Sequence, residues 1–373
     1  MIPNGLACHP TVFAVERDYQ FLMITEKPVI VSVIVDGVEY FNDACGVKRS
    51  DTKTQRISVP QAALDAAEGY TLTVSEVFDR KPYWPTIGEK QAYEYRFYPL
   101  KKTDNIRLYH IADVHGHTQD AIASATAAKE KPDVLLFNGD IPDHCGNFTE
   151  MHTLLNIASG VAKGELPCVC ARGNHDFRGC YAEHYPEYIP TKNGVTYYSF
   201  RLGCLFGVVL DCGEDKVDEL DVYGGTICCH RFREKQTEFL RSVTGYDAPD
   251  VKYRLVLCHN PFTHTPPEPF NIEIPLFTEW AELLKQNVKP HLMICGHTHT
   301  LEIAEVGGEK DHKGQPCPIV IASKPKRMEQ DEEQIFDGHT GAMITLCGDT
   351  ATVVCNDNEG TVGLTATVPL QTW

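Results

Sequence analysis

Five short segments of this 373-residue chain carry side chains able to bind a cation or move a proton. They are Asp113-Val-His115, Gly139-Asp140 followed by Asp143, Gly173-Asn174-His175-Asp176, His259, and Gly296-His297-Thr298-His299. Carboxylate, amide and imidazole together are a donor set for two divalent ions sharing a bridging carboxylate. Imidazole steers the choice toward Fe, Zn, Mn or Ni and away from Mg or Ca. A spacing of two, in Asp113-x-His115 and again in His297-x-His299, predicts extended backbone that turns both ligands to one side. The glycines ahead of Asp140, Asn174 and His297 predict sharp turns with no Cβ to crowd an ion. A lone histidine is ordinarily a core or surface residue; five placed in the same way call for a common reason.

That common placement is the end of an apolar run. Ile106–Ala112, Val134–Asn138, Cys168–Ala171, Arg254–Cys258 and His291–Cys295 read as strands. Helices are expected over Gln119–Lys129 and Thr149–Val161, so the order is strand, helix, strand, helix, strand. This rhythm predicts parallel pairing with right-handed crossovers. In open α/β sheets, ligands bind beyond the carboxyl ends of the strands, where the loops converge. Leu276, Trp280, Leu283 and Leu284 mark one face of a further helix, and residues 318–368 return to strands expected to be antiparallel.

The first hundred residues have another character. Pro28–Tyr40 is a hairpin about Asp36-Gly37, and Tyr70–Val77 and Ala92–Tyr98 alternate. Tyr93, Tyr95 and Phe97 fall on one face, as a core stripe does, and Gln61–Ala67 reads as a short helix. The expected organisation is a small all-β, fibronectin-III-like sandwich over residues 1–102, then an α/β domain over residues 103–373.

Hydrophobic residues at 42% and charged residues at 23% exclude a disordered chain. A net charge of −17, with no Lys/Arg run, argues against a nucleic-acid groove. The same charge repels a phosphorylated substrate, for which bound cations are the obvious local positive charge. The sign of the charge itself reads more simply as a surface that keeps the protein soluble. No apolar run reaches the ~20 residues of a membrane span, and the first residues lack a secretory pattern. Fifteen cysteines, an odd number without a C-x-x-C, read as free thiols in the cytoplasm.

The ordered set D-x-H, G-D, G-N-H-D, H, G-H-x-H, each after an apolar strand, resembles the calcineurin-like metallophosphoesterase superfamily over roughly residues 105–356. The resemblance implies a four-layer α/β/β/α sandwich around two metal ions (Mn, Fe or Zn). It implies one ion held by Asp113, His115, Asp140 and His299, and a second by Asp140, Asn174, His259 and His297, with Asp140 bridging. It also implies in-line attack on phosphorus of a small phosphorylated substrate, with His175 protonating the leaving oxygen and Asp143 orienting His175.

Departures from named branches narrow the expectation. Purple acid phosphatases also carry a β-sandwich first, but they place tyrosine where this chain has Asp143 and lack the counterpart of His115. Ser/Thr protein phosphatases have D-R-G where this chain has Asp143-His144-Cys145, so a bidentate phosphate clamp is missing. His117, His144 and Arg178 are candidates for that gap, while Arg172 and Arg178 are equally expected to pair with carboxylates. Cys145 is expected to be inert and Asp211 to end a strand. The alternative to a hydrolase is a catalytically silent scaffold that keeps the fold.

Overall fold

Strands buried on both faces must be apolar along their whole length. Val134–Asn138 and Pro167–Ala171 are buried at every residue and Ile106–Ile111 at all but Arg107. The computed structural model, which describes residues 1–330 and 333–373, pairs these three in parallel. Each strand lies within a residue of its expected bounds. The predicted helix over 149–161 is instead two pieces, Phe148–Met151 and Thr153–Ala162, the first started by the Asn147 side chain accepting the Glu150 N–H.

Among the described residues, a ten-stranded mixed sheet is laid against a six-stranded one. The smaller sheet runs Tyr198–Leu202, Leu205–Leu210, Tyr253–Cys258, Leu292–Cys295, Ile319–Ile321, Glu302–Ala304. One apolar core fills the space between the sheets, drawing on Leu136, Val169, Leu257 and Ile294. Thr118–Ala127 and Thr153–Ala162 cover the outer face of the larger sheet. Cys229–Ser242 and Ile274–Leu283 cover the outer face of the smaller. This is the four-layer α/β/β/α arrangement. The buried face of the last helix is Phe277, Trp280, Ala281 and, one residue on, Leu284; Leu276 and Leu283 flank it.

The chain after residue 318 is antiparallel where expected, through Glu333–Cys347, Thr350–Asp357 and Val362–Pro369. Ile319–Ile321 departs from that expectation and lies parallel to Leu292–Cys295.

The N-terminal residues are all β, with the short helix Gln61–Ala67 as expected. Asp36 and Gly37 both adopt positive φ, 51° and 80°, the turn that matches strand twist in a two-residue hairpin. Tyr95 stacks on Tyr70 and Phe97 is buried, so the aromatic stripe is core. The sandwich has one layer of its own, with Val29–Val35, Val38–Phe41, Gly69–Asp79 and Gln91–Arg96. Its other layer is shared. Thr11–Val15 pairs in parallel with Pro167–Ala171, and Asp18–Ile24 and Thr54–Pro60 extend the large sheet beyond it. Removing residues 1–102 opens the edge of Pro167–Ala171, a template for intermolecular pairing. A chain starting at residue 103 should therefore aggregate on gel filtration; a monodisperse fragment with a cooperative melt would refute this.

Candidate metal centre

Within each sheet the strands that precede the five segments run parallel, so their carboxyl ends lie along one edge. The loops beyond them are laced by main-chain hydrogen bonds. The N–H groups of Val114 and His115 donate to the Asp140 carbonyl at 2.8 and 3.0 Å, and Gly296 N–H donates to His259 O at 2.9 Å. Asp113, His115, Asp140, His297 and His299 all have positive φ, between 48° and 71°. The two D-x-H and H-x-H pairs are therefore not extended, as spacing alone suggested. Left-handed residues, not strand alternation, aim the side chains. Each such non-glycine residue costs about 1–3 kcal/mol and persists where surroundings over-determine it.

Two glycines make the approach possible. A Cβ on Gly173 would stand 2.3 Å from both the amide nitrogen and Oδ1 of Asp140. One on Gly139 would stand 2.6 Å from Gly173 Cα and from His259 Cγ. The need is for closeness of one loop to the next, more than for room around an ion.

The side chains gather into two groups whose ligand atoms lie within 4.8 Å of one another: Asp113, His115 and His299, and Asp140, His259 and His297. In the first, His115 Nε2 faces His299 Nε2 at 3.1 Å, and His299 Nε2 lies 3.3 Å from Asp113 Oδ1. In the second, His259 Nε2 is 3.1 Å from Asp140 Oδ2 and 3.8 Å from Asp113 Oδ1, which ties the groups together. Asn174 Oδ1 is 3.0 Å from His297 Nδ1. All seven expected ligands meet.

The donor chemistry fits cations. Asp113, Asp140 and His259 are buried, and His259 Nε2 faces the carboxylates of the two aspartates. Its Nδ1 donates to the Asn138 carbonyl at 2.6 Å, which aims Nε2 at the carboxylates. Burial works against charge on His259, yet Asp140 and Asp113 push its pKa up to about 10. Burial opposes ionisation of Asp140 as well, and His259 beside it holds the carboxyl well below the usual range. Burial, helped by the neighbouring His259, brings His297 down to about 4.

Residues 106–301, which include every one of these side chains, match the family model for calcineurin-like phosphoesterases. The chain belongs to the calcineurin-like phosphoesterase family. A curated relative is the glycerophosphodiester phosphodiesterase GpdQ of Enterobacter lignolyticus (strain SCF1), 26% identical over 89 residues. That match spans 24% of this chain and 31% of the relative, less than a third of the relative's length. Among solved structures, the phosphoesterase is similar to a purple acid phosphatase from yellow lupin (Lupinus luteus) seeds. The TM-score is 0.60 at 12% identity, over 96% of this chain and 74% of that one. It is also similar to PhoD, with a TM-score of 0.55 at 10% identity over 99% and 90% of the two chains. At such identities the likeness is one of fold.

Beside these two groups, this member of the calcineurin-like phosphoesterase family places a third that shares His115, formed with Asp143 and His175. His175 is tied to Asp143 through the main chain, its Nδ1 donating to the Asp143 carbonyl at 2.8 Å. The Asp143 carboxylate lies 3.7 Å from His175 and closer to His115, at 3.2 Å, and His144, at 2.8 Å. Burial lowers the His175 pKa, with Asp140 working the other way. Both arginines near the motif are committed. Arg172 pairs with buried Asp211 at 2.7 Å, and Arg178 grips Glu214 with two bonds of 2.8 Å. Cys145 is buried, and burial pushes its thiol pKa up, consistent with an inert residue.

Other supporting residues had no signal in the sequence. Ser323 Oγ accepts the Ala112 N–H at 2.8 Å, and His339 Nε2 donates to the Ala112 carbonyl at 2.9 Å, clamping the residue before Asp113. Ser323 lies just before the strand Lys324–Gln330 and His339 within Glu333–Cys347, both more than two hundred residues away. A cavity of about 580 Å³ lies apart from the candidate ligand groups beside Arg107 and Val354, and its Arg107 and Glu130 pair with each other at 2.8 Å. One of about 320 Å³ is edged by His297 and Thr298. Gly173→Ala should cost about 1–3 kcal/mol, since the new methyl must displace Asp140. Denaturant unfolding measures this, and an unchanged midpoint would contradict the packing described.

Proposed function

We propose that this protein hydrolyses esters of small phosphorylated molecules, using two metal ions (Mn, Fe or Zn). The carrying observation is the convergence of two ligand groups about buried carboxylates, with His259 Nε2 turned to Asp140 and Asp113 at 3.1 and 3.8 Å. In this reading Asp113, His115, Asp140 and His299 hold one ion. Asp140, Asn174, His259 and His297 hold the other. When bound, two such ions lower the pKa of water and neutralise charge on the phosphoryl oxygens.

The remaining steps fall to the chain's own groups. Asp140 Oδ1 accepts the His175 N–H at 2.8 Å, which fixes the catalytic loop against the bridging carboxylate. Because His175 Nδ1 donates to a carbonyl, Nε2 is the nitrogen that passes a proton to the leaving oxygen. Asp143 supports that orientation through its carbonyl and steadies His115 through its carboxylate. With Arg172 and Arg178 paired elsewhere, no arginine is proposed as a phosphate clamp. The stretch shared with a glycerophosphodiester phosphodiesterase makes a phosphodiester the first substrate to assay.

We also place the protein in the cytoplasm. The support is that all fifteen cysteines are unpaired, including Cys258 and Cys295 with sulfurs 3.6 Å apart. Among the described residues, no helix is long and apolar enough to cross a membrane.

Asp140→Asn should lower bound metal and reduce turnover at least ~10³-fold while the fold is kept. His175→Asn should leave the metal content intact and reduce kcat about 10²–10⁴-fold. Metal analysis and kinetics on a phosphoester panel test both, and full activity in Asp140→Asn would remove the bridging assignment. Metal uptake should also depend on pH. His259 is raised from 6.5 to about 10, so without metal it is charged at neutral pH and must shed its proton to become a ligand. Affinity for added Mn²⁺ should therefore rise, by up to about tenfold per pH unit, between 6.5 and 10. Titration calorimetry in buffers of different ionisation enthalpy should show proton release at pH 7; proton-neutral binding would contradict this.

A further inference from the structure

The cavity edged by His297 and Thr298 has a volume of about 320 Å³, at the lower end of the range for small-molecule sites. Phe262, Phe270, Phe277, Pro266 and Pro267 form its apolar wall, with polar residues such as Asn260 and His264 also lining it. Phe262 and Phe277 are buried, with ring centroids 5.5 Å apart, and Trp280 behind Phe277 at 5.3 Å makes the wall rigid. Phe270 stands at the mouth, 37% exposed, with Lys216 Nζ 4.8 Å from its ring centroid.

The acids that reach this cavity are already neutralised. Glu214 is held by Arg178 and by the Tyr223 hydroxyl at 2.9 Å, and Asp215 by Lys216 at 2.6 Å. Lys313 lines the cavity and is buried, donating to the His264 carbonyl and to Thr265 Oγ1. No carboxylate among the described residues lies within 4 Å of its ammonium group. A cationic group would find no counter-charge here. The polar atoms left without a partner on lining residues, Asn260 Oδ1 and His264 Nε2 among the described residues, are too few to satisfy the hydroxyls of a polyol set against phenyl rings and prolines. A flat ring, in contrast, gains offset or edge contacts with phenylalanines.

We propose that this cavity is the specificity subsite, and that it receives a flat aromatic ring of the substrate, of phenyl or nucleobase size. The inference rests on the hydrolase reading, since the cavity adjoins the ligand loop at His297. The preferred substrate is then a phosphoester bearing an uncharged or anionic aromatic group, with its phosphate at the ligand groups and its ring against Phe262 and Phe270.

The test compares the full-length protein with Phe270→Ala, with Mn²⁺ supplied, on 4-nitrophenyl phosphate and glycerol 3-phosphate. The ratio of the aryl KM to the glycerol-ester KM should rise about tenfold, or about 1.4 kcal/mol, in the variant. Phe270→Tyr should restore the ratio, and Thr265→Phe, which fills the cavity, should raise it. An unchanged ratio in Phe270→Ala overturns the proposal and leaves the hydrolase reading standing. Calorimetry with phenylphosphonate, which is not hydrolysed, separates the two claims. Its Kd should weaken about tenfold in Phe270→Ala relative to methylphosphonate. If that loss is seen while no ester is turned over, the subsite stands and the hydrolase reading falls. If phenylphosphonate binds the unaltered protein no more tightly than methylphosphonate, the subsite is withdrawn.

Discussion

Asp113 and Asp140 are carboxylates held out of water, and both stay ionised because imidazoles are pressed against them. Burying charge in this way is costly unless each charge is paired and hydrogen-bonded. Much of the structure reads as a means of meeting that cost. His259 is aimed by a main-chain carbonyl, Asp140 accepts an N–H from the next loop, and Asp113 accepts the His297 N–H. Five residues held in left-handed backbone add roughly 5–15 kcal/mol of local strain in sum, comparable with the whole net stability of an ordinary domain. Only a large core can hold such an arrangement.

That core explains the breadth of the sheets. The larger one runs from the C-terminal hairpins to the N-terminal strands without a break, and residues from both halves of the chain fill one apolar cluster. The loops with the ligands therefore hang from a rigid frame at every strand end. Clamps from Ser323 and His339 hold the residue before Asp113, so the C-terminal strands act on the site although they offer no ligand.

Electrostatics around the frame follow a consistent division. Arginines near the centre neutralise acids, Arg172 with Asp211 and Arg178 with Glu214, and are not left to meet a phosphate. In the proposed reading, positive charge for an anionic substrate comes from bound ions, in keeping with an acidic chain of net charge −17. On one flank of the candidate ligand groups stand His144 and His175, both beside Asp143. On the other is an apolar cavity with its acids already paired, suited to holding an organic group.

That these polar residues would gather was legible in the sequence because each follows an apolar strand, and parallel strands bring their carboxyl ends to one edge. The seven proposed ligands, with His175 and Asp143, lie close together in the structure. The hairpin at Asp36-Gly37 and the aromatic core stripe were legible too, since both are local. How the side chains are aimed was not legible: a D-x-H spacing is compatible with extended or left-handed backbone, and only contacts between loops select the second. Nor was the sharing of one sheet by both ends of the chain, the partners of Arg172 and Arg178, or the phenylalanine-walled cavity. Each of these depends on residues far apart in sequence whose meeting is decided by packing, and no local pattern of residue types records it.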